Sequence, residues 1–70
     1  MTIHNVLIND KFNAKLEIGT FGTNSERLKI IFNDRHPIYG KEFMTKYFIF
    51  KNKNLVEWGY ENKTFKITYI

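Results

Sequence analysis

An all-β or β-rich α+β fold of about five or six short antiparallel strands is predicted by three features of the chain. Apolar and polar residues alternate without a break from Lys11 to Ile18, and again from Arg27 to Asn33. From Thr45 to Ile70 an aromatic-rich segment, Lys46-Tyr47-Phe48-Ile49-Phe50-Lys51, is followed by two more alternating segments separated by Asn/Lys pairs. A period of two is the mark of a half-buried strand. The short strands read as two meanders packed as a small barrel or sandwich, in one domain over residues 1–70.

The first meander begins with Ile3 to Ile8, rich in β-branched residues, joined to the next strand by Asn9-Asp10. Both of those residues tolerate the positive φ of a two-residue hairpin turn. Pairing about that turn puts Ile3 and Leu7 on the face of Phe12, Ala14 and Leu16, with Val6 and Ile8 opposite. After Gly19, the stretch Phe21-Gly22-Thr23-Asn24-Ser25 has loop chemistry, and a five-residue loop sets Ile18 against Leu28 and Leu16 against Ile30.

Asp34 to Gly40 holds the single proline and is punctuated like a long connection, the hinge between the meanders. Between Lys41 and Lys51 two periods compete. Phe43, Met44, Tyr47, Phe48 and Lys51 fit a helical stripe with Glu42 and Lys46 spaced as an i,i+4 pair. The strand-preferring run Tyr-Phe-Ile-Phe favours a short turn or helix near residues 40–45 followed by a strand.

In the second meander, a turn at Asn52-Lys53 pairs Phe50 with Leu55, Ile49 with Val56 and Tyr47 with Trp58. A turn at Asn62-Lys63 then pairs Tyr60 with Phe65, Trp58 with Ile67 and Val56 with Tyr69. One face, Tyr47, Ile49, Val56, Trp58, Tyr60, Phe65, Ile67 and Tyr69, is expected to face the core. The other carries Lys46, Phe48, Phe50, Leu55, Glu57, Gly59, Lys66, Thr68 and Ile70. Large apolar residues beside lysines on such a face are expected either to be covered, by the connection from Asp34 to Met44, a short helix or a subunit, or to mark an interaction surface, for which Lys46, Phe48, Phe50, Leu55 and Lys66 are the candidate partner-binding residues.

Seventy residues without cysteine must rely on core packing alone, since a chain this short buries only about 60% of its unfolded surface. The composition, 43% hydrophobic and 17% aromatic, is that of a folding chain. No basic and apolar leader opens it and no apolar run approaches the roughly 20 residues that span a bilayer, so a soluble cytoplasmic protein without membrane contact is expected. Asn62-Lys63-Thr64 matches a glycosylation triplet but reads as a turn.

Chemistry is sparse. His4 and His36 have no second ligand at a spacing that shares a face, so no metal is expected. His36, near Asp34 and Tyr39, is the one imaginable acid-base group. The four glycines are isolated and Ser25 lacks a base, so no cofactor, phosphate cradle or catalytic residue is expected and the protein reads as a non-enzyme.

The net charge of +4 is not concentrated in a run, but six Lys against three Glu from Lys41 onward place about three of the four net charges in the second part of the chain. It permits nucleic-acid binding through a β-barrel face using Phe48, Phe50, Lys46 and Lys66, the alternative reading. Glu57 would sit in the middle of that face and repel phosphates, so a protein partner is preferred. The C-terminal strand is expected to present an unpaired edge that could accept a strand from a partner or from a second copy of the chain. The bias toward Lys, Asn, Ile, Phe and Tyr, with the small β-rich size, resembles accessory proteins of AT-rich phages and mobile elements, anti-CRISPR proteins among them. That resemblance, in composition and size, implies an inhibitor of a host or defence protein. The basic charge departs from the acidic DNA mimics of that group and points to steric blocking.

Overall fold

The computed structural model describes residues 2–61 and 63–70. Among them the chain is all-β: β1 Thr2–Ile8, β2 Phe12–Gly19, β3 Arg27–His36, β4 Gly40–Thr45, β5 Phe48–Asn52, β6 Leu55–Trp58 and β7 Lys63–Tyr69. All pairings are antiparallel, in the order β4-β3-β2-β1-β7-β6-β5. The two expected meanders are present, extended by β4 and joined where β1 pairs with β7.

The strand order has a geometric consequence. Six antiparallel steps separate β4 from β5, so the two run in the same sense, yet only Lys46 and Tyr47 connect them. Two residues cannot return the chain to the start of a parallel neighbour, which takes a crossover of a dozen or more. β4 and β5 are therefore two halves of one bent strand, and the sheet curls into a half-barrel whose outermost strands meet covalently. At the bend the Thr45 hydroxyl accepts from the Tyr47 amide at 3.1 Å, and the Gly59 amide donates to the Tyr47 carbonyl at 2.8 Å.

β7 also changes partners. Its first half pairs with β6 as far as Lys66 and its second half with β1 from Ile67. Each ladder is carried one residue further by a turn asparagine. Asn54 donates its side-chain amide to the Ile67 carbonyl (2.9 Å) and accepts from the Ile67 amide at its own carbonyl (2.7 Å). Asn9 donates its backbone amide to the Lys66 carbonyl and accepts the Lys66 amide at its side chain, both at 2.9 Å.

The concave side of the sheet is filled by Val6, Ile8, Ala14, Leu16, Leu28, Ile30, Phe32, Val56, Phe65 and Ile67, all buried. Phe43 of β4 lies 4.5 Å from the Trp58 ring and 5.5 Å from Phe65, so side chains close the curl where no ladder does. Trp58 and Phe65 stack at 5.2 Å.

The β2–β3 register matches expectation, with Ile18 opposite Leu28 and Leu16 opposite Ile30. Several other expectations are corrected. The loop at Asn9 has three residues, so Ile8 faces Phe12 and every β1 side chain turns over: Val6 and Ile8 are buried and Ile3 is exposed. Asn9 (φ 53°) and Asp10 (φ 59°) are both left-handed as anticipated, but the lock between Asn9 and Lys66 sets the length of the loop. Asp34 to His36 continue β3, and residues 37–39 form a tight turn in place of a hinge. Gly40 to Thr45 is strand throughout, not helix.

In the second meander the turn falls at Lys53-Asn54, and Lys51 is the extra residue of a β-bulge between the pairs Phe50 with Val56 and Asn52 with Leu55. That single residue moves Phe48 and Phe50 onto the core side with Val56 and Trp58, and Tyr47 and Ile49 out to solvent. β6 and β7 pair Val56 with Phe65, four positions from the expected register. An even shift preserves the faces, so Val56, Trp58, Phe65 and Ile67 point inward as expected. The expected turn at Asn62-Lys63 is not met, because Lys63 already belongs to β7; its other residue, Asn62, lies outside the described residues. β7 lies between β1 and β6 in the strand order, so the C-terminal strand is not an outermost one; those are β4 and β5.

Candidate functional site

The bulge that buries Phe48 and Phe50 exposes their neighbours. Tyr47 is 45% exposed and Ile49 63%, while Tyr60, which follows Gly59 (φ 74°) out of β6, is 81% exposed. The two phenol rings meet in water with centroids 4.6 Å apart. They border an open cleft of about 330 Å³ lined also by Lys46, Phe48, Ile49, Glu57 and Gly59. On the far side of Tyr60 a second hollow of about 220 Å³ is lined by Trp58, Gly59, Glu61 and Lys63.

Charges in and around the two hollows are mixed, and several are paired. Glu57 lies 3.7 Å from Lys51, and Glu61 lies 3.4 Å from Lys63, whose ammonium also sits 5.5 Å from the Trp58 ring centroid. Lys46 has no carboxylate partner among the described residues, and its ammonium is 5.1 Å from the Tyr47 ring. The Tyr60 hydroxyl as a hydrogen-bond partner, and after it Lys46, hold the Tyr47 hydroxyl below the ordinary tyrosine range. The same contact with Tyr47 pushes the Tyr60 hydroxyl up.

The five residues expected to share a binding face are divided. Lys46 and Phe48 line the cleft. Phe50 is half-buried, packed on the core and edge-on to Phe48 at 6.1 Å. Leu55 and Lys66 are cross-strand neighbours on the outer face, and Lys66 is engaged with Asp10 at 2.8 Å, clamping the β1–β2 turn. Tyr47, Ile49 and Tyr60 were expected in the core and instead form the exposed apolar surface. The local signal for Tyr60 is Gly59-Tyr60-Glu61-Asn62, which has turn chemistry and ends the strand at Trp58.

His36 is structural. Only 5% exposed, its ring packs against Phe12 (4.2 Å), Tyr39 (4.7 Å) and Phe32 (4.9 Å). Its Nδ1 accepts the backbone amides of Ile38 at 3.0 Å and Tyr39 at 3.2 Å, which closes the β3–β4 turn. Asp34 is exposed at the surface of the same strand. Among the described residues no three His, Asp or Glu side chains are grouped to hold a metal ion. The chain matches no protein family, no curated protein and no solved structure.

Proposed function

We propose that this protein is a non-catalytic protein-binding module that docks through Tyr47, Ile49 and Tyr60. The observation that carries the reading is three large side chains held in water around one cleft. Tyrosine brings contact area at low entropic cost and is enriched where interface energy concentrates. A contiguous apolar surface on a small domain has a desolvation cost that a partner relieves. The paired charges around it suit a polar protein rim. Such a module acts by occupying a surface of its partner, so for a chain that resembles mobile-element accessory proteins the activity is steric inhibition of a host or defence protein.

Nucleic-acid binding is the second reading, favoured by the exposed phenol rings beside Lys46, on which bases could stack. Glu57 and Glu61 each line one of the two hollows, and both count against a phosphate backbone there. Photocrosslinking separates the two. With benzoylphenylalanine replacing Ile49, irradiation in an extract of the source cells should yield a protease-sensitive adduct. The same group at Lys15 should give none, and Tyr60→Ala should abolish the adduct at 49. A nuclease-sensitive adduct would establish the second reading, and no adduct of either kind at 49 would remove both.

A further inference from the structure

The cleft is bordered by an unpaired strand edge. β5 ends the strand order, so among the described residues its outer row of backbone N–H and C=O groups pairs with no other strand, and Phe48 and Ile49 belong both to that edge and to the cleft wall. Such an edge is a template for an added strand, with main-chain bonds giving affinity and neighbouring pockets giving selectivity. From Thr45 to Val56 the chain carries Lys46, Lys51 and Lys53 and no acidic residue, and Glu57, opposite Ile49, is offset by Lys51 at 3.7 Å, which leaves Lys46 and Lys53 as the unbalanced charges of this edge. Lys46 and Lys53 make no ion pair among the described residues.

The lysines select the occupant. A second copy pairing β5 to β5 would set these lysines against one another, and like charges across strands are destabilising. The same lysines favour an added strand of opposite sign. Phosphates would meet them too, but a nucleic acid leaves the row of backbone donors and acceptors unmatched, whereas a polypeptide satisfies it.

Resting on the protein-binding reading above, we infer that β5 takes an extended, acidic segment of the partner as an added strand, with its apolar side chains beside Ile49 and over the Tyr47–Tyr60 cleft.

The test is an amide NMR titration of the full chain with acetyl-Thr-Glu-Val-Asp-Val-Glu-Thr-amide, with its counterpart bearing Lys at the acidic positions, and with short oligothymidylate. Saturable shifts of residues 46–51 by the acidic peptide are expected, with affinity at least about tenfold above the basic peptide, the scale of a few exposed charge pairs. In the Lys46→Glu/Lys53→Glu variant, which breaks no ion pair, the preference should reverse. N-methylation of either the valine or the acidic-residue nitrogens should abolish binding, since only one set faces β5. Equal affinity for both peptides, undiminished binding of both methylated forms, or tighter oligothymidylate binding at the same amides would overturn the inference. A protein adduct at position 49 together with no peptide shifts would overturn it too, while leaving the docking reading intact.

Discussion

The β3–β4 turn and the β4–β5 bend lie within a dozen residues of each other, and they treat aromatic side chains oppositely. At the turn, His36 and Tyr39 fold inward, and Tyr39 reaches Phe43, Trp58 and Phe65 at 5.3 to 5.4 Å. At the bend, Tyr47 turns outward and meets Tyr60 in water. Composition does not distinguish the two places. Register does: the His36 ring makes its own turn by accepting two amides, whereas the bulge at Lys51 rotates β5 by one residue and leaves Tyr47 and Ile49 without a core to enter. One aromatic group is a structural plug and the other stands open to water, and substitutions should separate them by size of effect.

The largest effect belongs to the plug's floor. Phe32 is fully buried and touches Phe12 and His36, so Phe32→Ala should cost about 3 to 5 kcal/mol. A domain of this length has roughly 4 to 10 kcal/mol in total, so the variant should be largely unfolded by circular dichroism or show a sharply lowered urea midpoint. His36→Phe comes next. It keeps an aromatic ring in place but leaves the amides of Ile38 and Tyr39 without their acceptor, a loss of about 1 to 3 kcal/mol. Hydrogen exchange should accelerate at those two amides first; an unchanged urea midpoint would mean that packing alone holds the turn.

A smaller effect tests the clamp that sets the β1 register. Asn9→Ala removes the acceptor for the Lys66 amide and puts in the left-handed region a residue that tolerates it less well than asparagine, together about 1 to 2 kcal/mol. Asn9→Gly keeps the conformation and loses only the hydrogen bond, so it should fall between Asn9→Ala and wild type. Lys66→Ala breaks an exposed ion pair and should cost below about 1 kcal/mol in urea titration. At the open region, Tyr60→Ala should change stability by no more than about 0.5 kcal/mol while removing the crosslink at position 49. A large loss of stability there would end the comparison.

The same contrast explains how much the sequence discloses. Alternation in β2 and β3 is legible because both strands have one buried face and a loop whose chemistry is visible in Phe21 to Ser25. Faces within β6 and β7 survive a register error because it is even. What is hidden depends on contacts distant in sequence. The third residue of the β1–β2 loop follows from the bonds between Asn9 and Lys66, 57 positions apart. The bulge at Lys51 has no glycine to announce it, and it alone moves Phe48 and Phe50 from the expected binding face to the core. β4 was obscured because a proline and a glycine flanking a tight turn look like those of a longer linker. The expected face is therefore divided: Lys46 and Phe48 line the cleft, while Phe50, Leu55 and Lys66 do not.

The finest probe of the open region is the titration of its phenols. Tyr47 is held low chiefly by Tyr60 and then by Lys46, while Tyr60 is raised chiefly by Tyr47. Absorbance near 295 nm should resolve an early and a late ionisation, and difference spectra against Tyr47→Phe and Tyr60→Phe should assign them, with ordinary values taken as about 10. Tyr60→Phe removes the larger cause, so Tyr47 should move up toward its ordinary value; Lys46→Met should move it up by less. The linked effects on stability oppose each other. The lowered Tyr47 contributes above its unfolded value and loses that contribution as pH falls through its folded one; the raised Tyr60 contributes below its unfolded value and loses it as pH rises through its folded one. Both rings are open to water, so the unfolding midpoint should move little across this range while the spectrum changes. A single unsplit transition that Tyr60→Phe leaves in place would mean the two rings do not meet in solution, and that the cleft they border has a different shape there.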